Sequence, residues 1–177
     1  TDPRQRGQHP SPRLIRIDLR QRPAPLLRVG GQLQQRPDLL LRRSTDNGAT
    51  WSAPAVVWAD GENTCGNPCP VIDPASGDVL LFSTWNLGTD REKAIVARES
   101  QDTRRVFLLR SRNHGKTWGR AKEITADVKP PEWTWYATGP GAGLAIERGP
   151  RKGRLVIPCD HIEAEDRYSH AIISDDG

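Results

Sequence analysis

An eight-residue motif recurs along this chain at long, nearly constant intervals. It reads S-T-D-N-G-A-T-W at Ser44–Trp51 and S-R-N-H-G-K-T-W at Ser111–Trp118, and a third copy opens with S-D-D-G at Ser174–Gly177. The copies start at residues 44, 111 and 174, so the intervals are 67 and 63 residues. A long fixed period predicts a propeller or an array, because one repeat cannot bury its own apolar face.

The residue types of this motif suit a tight turn. Asp or Asn can accept hydrogen bonds from nearby backbone amides, Gly permits a positive φ, and Trp buries a large surface. We therefore predict that Asp46 is a turn residue and not a catalytic acid. The residues assigned this structural role are Ser44, Asp46, Gly48, Trp51, Ser111, Asn113, Gly115 and Trp118.

Short apolar runs separated by turn residues fill the intervals between the motifs. The strand candidates, rich in branched and aromatic residues, are 55–58, 79–82, 105–109, 154–157 and 170–173. Pro, Gly, Ser and Asp cluster between them, as at 73–78. No window keeps a 3.6-residue apolar period. The sequence therefore predicts an all-β fold.

The positive charge is concentrated at one end of the chain. Residues 1–37 hold eight Arg, two acidic residues and no aromatic residue, while the whole chain has a net charge of +4. A nucleic-acid binder is expected to interleave basic and aromatic residues or to set them on a folded face. We therefore expect no nucleic-acid partner. We also expect no membrane span, because no apolar run approaches about 18 residues.

The cysteines do not form a metal-binding pattern. Cys65, Cys69 and Cys159 are an odd number and contain no C-x-x-C pair. We predict buried thiols, and a Cys65–Cys69 disulfide only if their Cα atoms lie within about 7 Å. Neither a metal nor a cofactor is expected.

Composition divides the chain into two segments, 1–37 and 38–177. Arg, Pro and Gln make up 20 of the first 37 residues, and an orderly apolar pattern begins at Asp38. Two interpretations of the first segment stay open. It is either a disordered basic tail or a stretch produced by a shifted reading frame.

The two complete motifs match the Asp-box, S-x-D-x-G-x-T-W, of sialidases (neuraminidases). Longer segments resemble exo-α-sialidases in order and spacing: 67–73, 102–107, 133–141 and 155–158. The resemblance covers about residues 38–177. It implies a six-bladed β-propeller of the sialidase type, of which we expect this chain to be the amino-terminal part, about its first half, with both natural ends missing.

The resemblance implies release of terminal sialic acid from glycoproteins or glycolipids. In that family three arginines bind the sugar carboxylate with paired N–H donors, and an Asp is the acid/base catalyst. A Tyr activated by a Glu is the nucleophile of a retaining hydrolase. The alternatives are a non-catalytic sialoside- or sugar-binding Asp-box propeller and a pure scaffold propeller.

The catalytic residues of the family find almost no match in this sequence. Arg16 is the one candidate for the first arginine, although Asp18 stands where the family has Pro. Gln32 and Leu33 occupy the neighbourhood of the acid/base Asp, and the other catalytic residues would follow residue 177. We therefore predict that these 177 residues alone do not turn over sialosides.

Three positions match the substrate pocket of the family. Asn67 matches a pocket Asn whose amide can pair with glycerol or N-acyl groups, with turn stabilisation as the alternative role. Asp160 and Ile162 match a loop that places side chains near the polar tail of the sugar. His161 beside them is expected at the surface of this loop, with a place on the rim of the pocket as the alternative. Trp85, Trp133 and Trp135 are expected to pack within the blades, with stacking on the sugar as the alternative role.

Overall fold

The structure, a computed structural model, describes residues 38–164 and 166–177, and the backbone of three strands before residue 38. The first nine elements are β1 (Arg16–Gln21), β2 (Leu27–Val29), β3 (Gln32–Gln34), β4 (Leu39–Ser44), β5 (Ala55–Trp58), β6 (Thr64–Ile72), β7 (Val79–Asn86), α1 (Glu92–Val96) and β8 (Arg105–Ser111). The remaining elements are β9 (Lys122–Glu123), α2 (Thr125–Val128), β10 (Tyr136–Thr138), β11 (Leu144–Ala145), β12 (Leu155–Glu163) and β13 (Asp166–Ser174). None of the described helices has the length and apolar character that crossing a bilayer requires.

The strands form antiparallel sheets in chain order, the arrangement of propeller blades. The first blade contains β1, β4 and β5, and the second contains β6, β7, β8 and β9. In the third blade, β10 and β11 pair with different parts of β12, so they are two pieces of one interrupted strand. β13 pairs with β12 along its whole length. The prediction of an all-β fold is thereby confirmed.

The apolar core lies between neighbouring blades. Leu80 and Phe82 of β7 join a cluster with Ile157 of β12, between the second and third blades. Leu81 points to the opposite face and packs with Leu39 of β4, between the first and second blades. Alternate strand residues face opposite sides, so a sheet covered on both faces needs a continuous apolar run. The run at 79–82 meets that need.

The three cysteines are buried, unpaired thiols, as predicted. Cys69 and Cys159 belong to the core between the second and third blades, whereas Cys65 belongs to the other core. Burial raises the pKa of Cys65 to about 12 and the pKa of Cys69 to about 11. Both thiols are therefore protonated at neutral pH, and a protonated thiol is a poor nucleophile and a poor metal ligand.

The repeated motifs form closely similar turns, which begin at the ends of β4, β8 and β13. In the first turn, Gly48 N donates to Ser44 Oγ (2.7 Å) and Thr50 N donates to Asp46 Oδ1 (2.9 Å). The second turn repeats these bonds: Gly115 N donates to Ser111 Oγ (2.8 Å), and Thr117 N donates to Asn113 Oδ1 (2.9 Å). In the third copy, Gly177 N donates to Ser174 Oγ (3.0 Å). The closing residues Trp51 and Trp118 differ, since Trp51 Nε1 donates to Gly48 O while Trp118 packs on the core between the first and second blades.

The charge of Asp46 should make the first turn sensitive to acid. Hydrogen bonds from Thr50 and Ser44 lower the pKa of Asp46 to about 2. The folded state therefore binds fewer protons than the unfolded state below about pH 4, so the stabilisation is present above that pH and is lost as the pH falls through 2. Asp46→Asn should keep the geometry, as Asn113 does, but lose the pH dependence.

Urea unfolding at pH 5 and pH 2.5 measures this difference. Wild type and Asp46→Asn should differ more at pH 5 than at pH 2.5, and Asp46→Ala should be less stable than either at pH 5. An equal gap between wild type and Asp46→Asn at both pH values would contradict a stabilising charge at Asp46.

The predicted strands at 55–58, 79–82, 105–109, 154–157 and 170–173 correspond to β5, β7, β8, β12 and β13, with β12 beginning one residue later than predicted, and these predictions are confirmed. The division of the chain at residue 37 stays a prediction. Within 1–37, β1 pairs with β4, with Arg16 opposite Ser44 in register. The other residues of that segment lie outside the described part, apart from the short pair β2–β3.

Candidate functional site

Strand β6 lies where the three blades converge. It contacts β1 of the first blade and both β10 and β11 of the third blade. Its pairing with β7 shifts register between Gly66 and Cys69, and Asn67 in this bulge has φ +50°. A positive φ is uncommon for residues other than Gly, but Asn adopts it more readily than most. The bulge therefore releases the Asn67 backbone from the hydrogen-bond ladder between β6 and β7. We call the region around β6 and β10 the convergence edge.

A buried arginine lies beneath Asn67. Arg104 is 4% exposed, and its two terminal nitrogens donate to Asn67 Oδ1 and Asn86 Oδ1. Its Nε donates to the main-chain oxygen of Tyr136 (3.3 Å), and its guanidinium carbon lies 4.2 Å from the ring centroid of Trp135. Burial lowers the pKa of Arg104 to about 10. The side chain is therefore a cation at neutral pH.

Two threonines complete the surroundings of Asn67. Thr84 Oγ1 donates to Asn67 Oδ1 (2.8 Å), and Thr138 Oγ1 donates to the main-chain oxygen of Asn67 (2.5 Å). Both oxygens of Asn67 are thus occupied by protein donors. Within the described part of the chain, no protein group accepts a hydrogen bond from Asn67 Nδ2.

Asn86 and Asp90 hold the segment before Arg104 in place. Asn86 Nδ2 donates to the main-chain oxygens of Leu87 (2.8 Å) and Asp90 (3.0 Å). The Asp90 carboxylate accepts hydrogen bonds from the backbone amides of Gln101 (3.2 Å) and Asp102 (3.0 Å). These bonds position the loop from which Arg104 enters the core.

Asp160 and Ile162 lie in strand β12, so their placement in a loop was wrong. β12 extends over nine residues because it has partners on both sides, β10 and β13. Burial raises the pKa of Asp160, and its charge together with that of Glu92 acts on Arg104. Ile162 is 3% exposed. The structure thus brings Asn67 and Arg104 into contact and Asp160 within electrostatic range, and the substrate-binding roles of Asn67, Asp160 and Ile162 stay predictions.

His161 is buried, at 5% exposure, so its expected place at the surface was wrong. It shares a face of β12 with Ile157 and Cys159, and its ring stacks on Trp133 at 3.4 Å between centroids. His161 Nδ1 lies 2.9 Å from His170 Nδ1, and His170 Nε2 lies 2.9 Å from the Tyr136 hydroxyl. This histidine pair connects β10, β12 and β13 inside the third blade.

Sequence reasoning missed the role of Arg104, although a signal was present. Arg104 is two residues before Val106, a fully buried core residue, and alternate residues along an extended segment share a face. That spacing places an arginine on the core side. The side chain of Arg16 lies outside the described residues, so its assignment as a carboxylate-binding arginine stays a prediction.

A second buried cation should produce a rise in stability at alkaline pH. Lys129 is 7% exposed, its Nζ donates to Thr103 Oγ1, and burial together with the charge of Arg98 lowers its pKa to about 8. Between about pH 8 and pH 10.5 the unfolded chain binds this proton and the folded chain does not, so stability rises with pH. Lys129→Met should lack that rise. Urea unfolding of both proteins at pH 7.5 and pH 9.5 measures it, and parallel pH profiles would contradict the assignment.

The chemistry offered at the convergence edge is polar recognition. It combines a fixed amide, hydroxyl groups and a buried positive charge, the kinds of group that orient a polar ligand in a pocket. Among the described residues, no group of three or more His, Cys, Asp or Glu is arranged to hold a metal ion. Burial raises the pKa of the Tyr136 hydroxyl well above its usual range, which makes this Tyr unsuited to act as a nucleophile.

Comparison with known proteins places this chain in a family. The model of the BNR repeat-like domain matches residues 28–177, beginning inside the Arg-rich segment. A sialidase of Bacteroides fragilis is 31% identical over 144 residues, 75% of this chain and 26% of that protein. An exo-alpha-sialidase of Aspergillus fumigatus is 31% identical over 132 residues, 67% of this chain and 31% of that protein.

A solved structure agrees with the sequence matches. A Hadza microbial sialidase is 30% identical, with a TM-score of 0.68 over 81% of this chain and 30% of that one. The present chain thus spans between a quarter and a third of the length of these relatives. The family model matches most of the chain, and these two relatives and the solved structure are sialidases. The chain therefore belongs to the sialidase family with BNR repeat-like domains.

Proposed function

We propose that this chain forms part of the sugar pocket of an exo-α-sialidase, which releases terminal sialic acid from glycoproteins or glycolipids. The observation that carries the proposal is the contact between Asn67 and the buried Arg104 at the convergence edge. Asn67 belongs to the segment that resembles the substrate pocket of sialidases. An amide held by a buried cation is a costly arrangement to fold, which supports a role beyond packing.

The charges around this pocket suit a polar, anionic sugar. Arg104 supplies a positive charge with low exposure to water, where its field is screened less than at the surface. Asp160 in β12 supplies a carboxylate in the same region. We assign Asn67 and Asp160 to the polar substituents of the sugar and Ile162 to the support of β12 beneath them.

The catalytic step requires residues that these 177 positions do not match. A retaining mechanism uses an acid/base Asp, a Glu–Tyr nucleophile and three carboxylate-binding arginines, by resemblance to the family. We therefore expect turnover only from a natural-length protein, meaning a chain that also carries those residues, and none from residues 1–177 alone.

A fluorogenic aryl α-sialoside tests this proposal between pH 4 and pH 8. The natural-length protein should release the aryl group, and the matched aryl galactoside and aryl glucoside should give no signal. Residues 1–177 alone should show no release. Turnover of the galactoside in place of the sialoside would contradict the assignment of the substrate class.

A non-catalytic sialoside-binding propeller is the second candidate. The observation that favours it is that Gln32 and Leu33 stand in the neighbourhood where the acid/base Asp is expected. In that case the natural-length protein would bind a sialoside by calorimetry and would release no aryl group. Binding with turnover eliminates this candidate, and absence of both contradicts the two proposals together.

A further inference from the structure

The Asn67 side chain has a defined orientation because of its neighbour. An amide offers an oxygen acceptor at one end and an N–H₂ donor at the other, whereas a guanidinium offers donors only. If the Asn67 amide were reversed, its nitrogen would face the guanidinium of Arg104, and two donors would oppose each other. The Thr84 hydroxyl lies near both Asn67 Oδ1 (2.8 Å) and the main-chain oxygen of Gly66 (3.3 Å), and because a hydroxyl can donate or accept, it is Arg104 that decides the orientation. The nitrogen must therefore point away from Arg104.

The positive charge of Arg104 has no carboxylate in direct contact among the described residues. Its terminal nitrogens bond to the neutral amides of Asn67 and Asn86, while Glu92 and Asp160 act on it only through their field. A hydrogen bond from a charged donor is stronger than one between neutral groups, and it polarises the group that accepts it. Polarisation of the Asn67 carbonyl withdraws electrons from its nitrogen and makes the outward N–H groups better donors.

We propose that Arg104 is a positioning residue that holds the Asn67 amide with its nitrogen outward, so that Asn67 presents only hydrogen-bond donors to the ligand. This inference rests on the proposed function, in which Asn67 faces the sugar. Its consequence is a rule of specificity. The sugar must offer an oxygen acceptor at this point, such as a carbonyl or hydroxyl oxygen, and an ammonium group there would meet the donors of Asn67.

The other contacts of Arg104 explain how it can hold this orientation. Asn86 Oδ1, the Tyr136 main-chain oxygen and the face of Trp135 fix the guanidinium on its remaining sides. Lysine at position 104 would keep the charge, but one nitrogen cannot occupy both terminal positions of a planar guanidinium. Arg104→Lys is therefore the conservative control, and Arg104→Met removes charge and donors together.

A double-mutant cycle on the natural-length protein tests the inference, with 2,3-didehydro-N-acetylneuraminic acid as the probe and calorimetry as the measurement. Arg104→Met should weaken binding about tenfold, the effect of one lost directed hydrogen bond. In the Asn67→Ala background the same change should weaken binding no further, because the group that Arg104 positions is absent. Stability to urea should fall in both backgrounds. An equal loss of affinity in both backgrounds would overturn the inference and leave Arg104 a purely structural residue.

Asn67→Asp gives a sharper outcome with little risk to folding. The new carboxylate can pair with Arg104 but offers acceptors only, so it opposes the acceptor oxygen of the sugar. Binding should weaken more than in Asn67→Ala. Binding equal to or tighter than that of Asn67→Ala would show that Asn67 does not act as a donor.

A nuclear magnetic resonance measurement separates failure of this inference from failure of the proposed function. In the absence of ligand, the side-chain N–H₂ resonances of Asn67 should shift in Arg104→Lys, while those of the distant Asn113 stay unchanged. Unchanged Asn67 resonances would contradict the inference whether or not the protein binds sialosides. If the Asn67 resonances shift in Arg104→Lys but the wild-type protein binds no probe, the amide is held as described and the proposed function fails instead.

Discussion

Replacing Tyr136 by alanine is expected to lower the free energy of unfolding by about 3–5 kcal/mol, as for other large buried aromatic side chains. Tyr136 is fully buried in the core between the second and third blades, and its ring lies 6.1 Å from that of Trp133. Its hydroxyl also bonds to His170 Nε2 at 2.9 Å. The substitution therefore leaves a cavity at the point where the two blades meet.

Tyr136→Phe is the matched control, because it keeps the ring and removes only the hydroxyl. It should cost about 0.5–1.5 kcal/mol, the net value of one hydrogen bond. Urea unfolding followed by circular dichroism at pH 7 measures both variants. A loss for Tyr136→Ala no larger than that for Tyr136→Phe would contradict the placement of this ring in the core.

Acid should destabilise the third blade through its histidine pair. The two Nδ1 atoms of His161 and His170 share one hydrogen bond, so a proton added to the accepting nitrogen sets two N–H donors against each other at 2.9 Å. Burial lowers the pKa of both residues, and with the charge of His161 it lowers the pKa of His170 to about 4. The facing groups are Trp133, Tyr136 and Tyr168, with the half-buried Glu163 at 4.0 Å from His161.

The direction of the effect follows from proton uptake. Below the ordinary histidine pKa of about 6.5, His161 and His170 bind protons in the unfolded chain that they do not bind in the folded chain. Stability is therefore full above pH 6.5 and falls as the pH drops toward 4. Unfolding near pH 5 should therefore take up more protons than unfolding at pH 7.5, and about one of them binds to His170.

His170→Gln is the control for the histidine pair. Gln can still bond to the Tyr136 hydroxyl but does not titrate, so the variant should lose about one of those protons. The slope of unfolding free energy against pH, from urea titrations between pH 4.5 and pH 7.5, measures the number of protons. Equal slopes for wild type and His170→Gln would show that His170 titrates freely in the folded protein.

The repeat predicted the turns, and the apolar runs predicted the strands β5, β7, β8, β12 and β13. The motif at 44–51 and its copy at 111–118 form the same turn. Their hydrogen bonds are local, because they join residues within four positions of each other. Strand β6 was missed, since Pro68 and Pro70 argue against a strand. The bulge that accommodates this segment depends on β7, which lies beyond the reach of a local pattern.

The candidate site was less predictable, because its contacts join distant segments. Asn67 could be singled out from its segment, but its contact with Arg104 spans 37 residues. His161 was placed at the surface because polar loops are the usual place for histidine, whereas pairing with β10 and β13 buries it. Side-chain partners across blades follow from the register of the sheets, and one sequence does not reveal that register.

The most direct test of the sialidase assignment is proton nuclear magnetic resonance of the natural-length protein mixed with 3′-sialyllactose. Free sialic acid should appear with time, and its α-anomer should be the first product if the mechanism is retaining. Lactose should form in equal amount. An unchanged spectrum of 3′-sialyllactose after prolonged incubation between pH 4 and pH 8 would contradict the proposal that this chain is part of a sialidase.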